Sequence, residues 1–215
     1  MKSALTVASR TATALLFTSV LASAAFGADA KYAAGSYQID AMHSKVGFEI
    51  SHLVISSVEG KFNKSEGEIK LDPSFTKSSV KVSTDIASID TGVEKRDEHL
   101  KSPDFFDAKK YPTLKFESTA VTGSPDSFKV TGNLTIHGVT KKVTLDGKYL
   151  GTVKDGYGNE KAAFNATTKI SRKDYGLTWN NVVEAGPVVG DEVAISLKIQ
   201  AAQAKPTATA AAATK

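Results

Sequence analysis

The chain has 215 residues, 41% hydrophobic and 23% charged, the composition of an ordinary globular protein able to bury one substantial core. Its basic surplus is small (27 Lys and Arg against 23 Asp and Glu), and Lys2 and Arg10 at the N-terminus supply half of it. No basic stripe with interleaved aromatics is present, which argues against a nucleic-acid partner, and the lack of cysteine excludes a disulfide framework, a thiol nucleophile and a cysteine-based zinc site.

Residues 1–27 read as a secretory signal. Lys2 and Arg10 form the positive region and Ala12 to Ala22 the short apolar core, with A-x-A cleavage options between residues 24 and 30. The apolar core is too short to span a bilayer, and no cysteine is available to carry a lipid. The expected product is therefore exported to the periplasm or secreted, without a stable membrane anchor. Residues 28–35 are expected to be a short flexible lead-in.

Between residues 36 and 200 the sequence alternates apolar and polar residues as antiparallel strands do. Val46, Phe48 and Ile50 share one face, and His52 continues it, so this histidine is expected to point inward near a barrel mouth. Val58, Gly60 and Phe62 follow, then Ile69 and Leu71, then Val80, Val82, Thr84 and Ile86. After a charged interruption come Leu114, Phe116, Ser118 and Ala120, then Phe128 to Ile136, Val143 to Tyr149, Ala162 to Ile170 and Val193 to Ile199. His137-Gly138 marks a tight hairpin. Eight to ten strands, each with one apolar face, require a closed barrel or a sandwich, and the long meander favours a barrel. Small residues on the inward parity (Gly60, Ala120, Gly132, Gly147, Ala166) would leave its interior partly unfilled, although side chains and loops could equally fill it.

The interruption, residues 90–107, is the one helical island. Thr91-Gly92-Val93-Glu94 fits a capping box, and Ser102-Pro103 opens a second short turn. Its few apolar residues predict a helix lying on or over the barrel. Residues 201–215, rich in Ala and Thr, are expected to form a disordered tail.

The histidines His43, His52, His99 and His137 show no metal-site spacing, so no metal is expected. No phosphate loop, nucleophile elbow or catalytic pair occurs, and no enzyme activity or cofactor is implied. Arg172 could pair with a carboxylate or meet an anionic head group. Trp179, the single tryptophan, is placed either in a rim cluster or against a ligand.

Several segments together closely resemble the YceI family of bacterial proteins. They are Tyr37-Gln38-Ile39-Asp40 with His43-Ser44-Lys45-Val46-Gly47-Phe48 and His52-Leu53, then Asp85 to Gly92 leading into Arg96-Asp97-Glu98-His99-Leu100. Ser102-Pro103-Asp104-Phe105-Phe106-Asp107 follows with Tyr111-Pro112, then Gly132 to Thr140 and Arg172 to Leu177. The resemblance covers the whole domain and implies an all-β fold, an extended eight-stranded antiparallel lipocalin-like barrel. It implies a lumen holding one small-molecule lipid: a polyisoprenoid, an isoprenoid quinone or a fatty-acyl-like chain, for transport, storage or stress protection. On that basis Phe48, Ile50, His52, Phe62, Val82, Leu134, Phe164 and Trp179 are the expected lining, while Asp97, His99 and Phe106 are expected to fasten the helix. The alternatives are a secreted scavenger of lipophilic antibiotics or toxins, an isoprenoid-related enzyme, and a filled barrel serving as an interaction module. A homodimer is compatible with the sequence.

Overall fold

The computed structural model describes residues 32–180, 182–183 and 186–204. Residues 1–27, read above as a secretory signal, and most of the expected C-terminal tail lie outside the described residues. Thirteen strands are described: β1 Gly35–Ile39, β2 Lys45–His52, β3 Ser56–Phe62, β4 Ser65–Leu71, β5 Ser79–Asp85, β6 Ile89–Asp90, β7 Thr113–Ser124, β8 Ser127–Ile136, β9 Val139–Lys154, β10 Glu160–Ser171, β11 Val182–Val183, β12 Gly186–Pro187 and β13 Val189–Gln203. One helix, α1 Glu94–Lys101, interrupts them.

The sheet runs β1-β4-β5-β7-β8-β9-β10-β13, and β13 pairs back onto β1, closing an eight-stranded antiparallel barrel. β1 and β2 act as one long bent strand against β13, broken by a short turn at Ala41–His43. β3 and β4 likewise follow one another along β2 and β1. Beyond β2, the far edge of β3 is paired only through Lys61 and Phe62 to β6. On that side α1 and residues 102–112 complete the wall.

The alternation read from the sequence sets the faces of most strands, and one bulge corrects it. The β7–β8 register slips between Ser118 and Ala120. The extra residue reverses the parity that follows, because successive side chains point to opposite faces. Ala120 is therefore exposed and Val121 buried. At the β8–β9 hairpin His137 and Gly138 both take positive φ (50° and 76°), the two-residue turn whose twist matches the strands it joins.

Two segment boundaries also move. Ala201 is wholly buried and residues 201–203 pair with β1, so the strand runs through the first three residues assigned to the tail. Alanine fits there because the site lies under Tyr37, itself wholly buried. Within the expected lead-in the Tyr32 ring packs edge-on against Phe75 and Tyr149.

The helix is capped differently from the capping box. Val93 is the N-cap, and Thr91 donates its backbone N–H and hydroxyl to the Asp97 carboxylate (2.9 and 2.5 Å). Arg96 donates back to the Thr91 hydroxyl and carbonyl (2.8 and 2.9 Å). Asp97 takes the role expected of Glu94 because Thr91 sits two residues ahead of the true cap. The second turn, after Ser102, is a sequence of hydrogen-bonded turns and not a helix.

Candidate ligand-binding tunnel

The two ends of the barrel are built differently. At the β1 end the interior is solid: Tyr37, Leu71, Val121, Phe128, Tyr149 and Phe164 are buried in one cluster. Phe75, from the short turn before β5, packs on Phe128, and Tyr149 packs on Phe164, so aromatic rings stopper this end. Beyond the stopper several inward side chains are only half-buried. Val82 of β5, Phe116 of β7, Leu145 of β9 and Leu197 of β13 face the axis yet retain accessible surface. A residue that points into a barrel and is not buried borders empty space.

That space is a cavity of about 440 Å³ whose wall draws on strands all around the barrel. It lies within the range, roughly 300–1,000 Å³, typical of small-molecule sites. Along β13 the wall extends from Val189 to Ile199, roughly 33 Å of strand at the usual rise. The cavity is thus a slender tunnel with an aromatic floor.

All eight residues expected to line it do face it. Phe48, Ile50 and His52 come from β2, Phe62 from β3, Val82 from β5, Leu134 from β8 and Phe164 from β10. Trp179 closes the far end with His99 and Phe105, each pair of rings 5.0 Å apart. The rim cluster and the lining are therefore the same place. His99 and Phe106 are corrections: both face the tunnel, although His99 is also held by Asp104 (3.0 Å). Asp97 alone of that group only fastens the helix. The alternation could not place His99, since the helix meets the barrel through a contact that no local pattern encodes. His43 and His137 lie off the tunnel, bonded to Asp40 and to the Tyr175 carbonyl.

The inward glycines do not produce the hollow. A Cβ at Gly60 would fall 2.2 Å from the Phe48 ring, one at Gly132 2.5 Å from Phe116, and one at Gly147 2.1 Å from Phe128. Each glycine is roofed by a neighbouring ring, a packing that recovers apolar contact where the strand lacks a side chain. The hollow lies between the aromatic floor and the ring cluster of Trp179, His99 and Phe105 at the other end.

Arg172, the head-group candidate, is committed elsewhere. It is buried, and its five N–H groups reach the carbonyls of Gly190 (2.8 Å), Leu177 (2.5 Å), Trp179 (2.8 Å) and Val189 (3.5 Å) and the Asp191 carboxylate (3.4 Å). Burial pulls its pKa below the ordinary arginine value, and Asp191 opposes that shift. Its work is to tie Leu177 and Trp179 to residues 189–191. Tyr175 beside it is buried with its hydroxyl unpaired among the described residues, and burial pushes its pKa up to about 12.

A profile of YceI-like domains matches residues 37–201, nearly the whole of the barrel. The chain belongs to the YceI family. A UPF0312 protein of Pseudomonas paraeruginosa is 40% identical over 185 residues, covering 84% of this chain and 93% of that one. Another, from Vibrio cholerae, is 38% identical over 148 residues, 67% of this chain and 78% of its own. Among solved structures, the YceI protein of Campylobacter jejuni superposes with a TM-score of 0.63 at 33% identity, over 72% of this chain and 90% of that one. A polyisoprenoid binding domain from Saccharophagus degradans, 18% identical over 78% of this chain and 98% of its own, gives 0.57 and shares the fold.

Proposed function

We propose that this YceI-family protein is an exported lipid carrier or store that shields the apolar chain of one long amphiphile, an isoprenoid or acyl lipid, inside its barrel. The observation that carries the reading is the tunnel: about 440 Å³, narrow, walled almost entirely by aliphatic and aromatic side chains, and floored at one end. Each methylene moved from water into such a wall is worth about 0.8 kcal/mol, so one isoprene unit contributes roughly 3–4 kcal/mol before ordering costs. Several units give useful affinity. Binding of this kind tolerates chain identity, which fits a carrier for a class of lipids. The polyisoprenoid-binding description of the Saccharophagus domain agrees with the class.

Binding, and not catalysis, is the reading the wall supports: among the described residues the lining has no carboxylate to act as acid or base beside its histidines. Export follows from the signal segment, and a soluble carrier in the periplasm gives such a barrel its use. The test is native mass spectrometry of protein purified from its exported fraction without detergent, followed by solvent extraction. The expected result is an adduct of lipid mass that extraction removes. A protein of bare polypeptide mass that also takes up no added isoprenoid or fatty acid would end the proposal.

A further inference from the structure

The polar groups of the tunnel wall point to the chemistry of the ligand's head, an inference that rests on the lipid-binding reading above. Several are already paired within the protein. Thr84 bonds Ser65 (2.9 Å), Thr168 donates to the Thr144 carbonyl (2.8 Å), Ser78 accepts from the Asp72 amide (3.1 Å), and Arg172 is spent on its loop. Lys115, Ser51 and Ser79 border the cavity but are exposed on the outside of the wall.

Three basic side chains remain, all at the end away from the aromatic floor: His52, Arg96 and His99. Arg96 is half-buried and, among the described residues, has no carboxylate partner. Its Nε and Nη2 donate to Thr91, which fixes the guanidinium plane and leaves the Nη1 hydrogens uncommitted. The His52 ring makes no hydrogen bond among the described residues. His99 uses Nε2 on Asp104, which leaves Nδ1. Among the described residues no Asp or Glu lines the cavity, and the nearby carboxylates of Asp97 and Asp104 are engaged by Thr91 and His99.

We infer that this mouth is a receptor for an oxyanion head group, a carboxylate or a phosphate, with Arg96 as its main contact and His52 and His99 flanking it. The physical reason is asymmetry. A half-buried cation with no ion-pair partner among the described residues carries a desolvation cost that nothing there offsets. An anionic head seated at the mouth would relieve that cost through charge-assisted hydrogen bonds, while its chain extends toward the aromatic floor. An ammonium head would be repelled by the Arg96 guanidinium. The tail accordingly supplies affinity, and the mouth sets polarity and direction.

The test uses displacement of N-phenyl-1-naphthylamine, a neutral apolar fluorophore, by chains of one length: hexadecanoate, hexadecyl phosphate, hexadecanol and hexadecylammonium. Hexadecanoate or hexadecyl phosphate is expected to displace the probe at a concentration about tenfold or more below hexadecanol, with the ammonium weakest. The tighter of the two acids identifies the oxyanion. Arg96→Gln should bring the acid and the alcohol close together while leaving hexadecanol unchanged, and Arg96→Lys should keep part of the preference. Because Arg96 also braces Thr91, thermal unfolding checks each variant, and His52→Gln, whose ring has no partner to lose, must narrow the same ratio. Equal binding of acid and alcohol by the wild type, or an unchanged ratio in folded Arg96→Gln and His52→Gln, overturns the head-group inference and leaves the tunnel standing. If no chain displaces the probe, both readings fall.

Discussion

The Phe48 ring lies across Gly60, its register partner on the neighbouring strand, so closely that a Cβ at Gly60 would fall 2.2 Å from the ring's tip. Phe48 faces the hollow part of the tunnel, so the ring has somewhere to go. In Gly60→Ala it should swing into the lumen, costing about 1 kcal/mol of stability or less. The displaced ring occupies room for about two methylenes, and at ~0.8 kcal/mol each the Kd for a long-chain ligand should rise about tenfold. Gly147→Ala provides the contrast. There the roofing ring is Phe128, buried in the aromatic floor and unable to move aside. It should destabilise by about 1–3 kcal/mol. Urea unfolding and a fluorophore displacement assay on both variants check the pair; similar behaviour at the two sites would contradict the division into hollow and solid ends.

Tyr175 holds an unpaired hydroxyl in an apolar cluster with Ile136 and Leu177. Removing it should cost nothing. Tyr175→Phe is expected to be neutral or to stabilise by about 1 kcal/mol, since the desolvated hydroxyl gains no partner on folding. The same burial raises its pKa from 10.0 to about 12. A raised pKa contributes stability that is full below the unfolded value and lost as pH rises through the folded one. The wild type should therefore weaken between pH 10 and about 12, and Tyr175→Phe should lose part of that slope. Burial also raises Tyr32 and Tyr37, so the remainder persists.

Arg172 ties Leu177 and Trp179 to residues 189–191 through four carbonyls and one carboxylate. A lysine has at most three donors in place of five and no planar fork. Arg172→Lys should destabilise by about 2–4 kcal/mol, because carbonyls are left unpaired at a buried site. Hydrogen exchange should show the loss concentrated in residues 177–191, with the β7–β8 hairpin protected as before.

Asp40 ties the bend between β1 and β2 to two other strands. Its carboxylate meets His43 (3.0 Å), Lys161 of β10 (3.3 Å) and Gln200 of β13 (3.3 Å). Burial pushes its pKa up, but the hydrogen bonds and charges of His43 and Lys161 prevail, and it sits below the ordinary value of 3.8. A lowered carboxylate pKa adds stability above the unfolded value and loses it as pH falls through the folded one. Stability should thus fall as pH drops below about 4, and Asp40→Asn should flatten that limb while costing about 1–3 kcal/mol near neutrality. Chemical denaturation across acidic pH measures both.

Strand faces were legible because one apolar face per strand leaves a period of two, and this alone aligned Phe48, Ile50 and His52 along the lumen. The Ser118–Ala120 bulge was not legible, since an extra residue changes parity without changing composition. Small residues were visible, but whether neighbouring side chains fill the space beside them was not: Gly60, Gly132 and Gly147 are covered by phenylalanines whose proximity is set by register. Arg172 showed its charge and not its partners, which lie up to nineteen residues away in sequence. His99 and Phe106 stand on a segment whose docking depends on the unpaired edge of β3, a property of the closed sheet. The floor likewise emerged only when Phe75, Phe128 and Tyr149 converged from separate strands and turns.

The most direct measurement is a crystal structure of the protein with a bromine-tipped long-chain fatty acid, read by the anomalous signal of the bromine. The tail should enter first, placing the bromine inside the barrel between Phe116 and the ring of Phe128, with the carboxylate near Arg96. A bromine found only on the outer surface, with the lumen closed by its own side chains, would contradict the account.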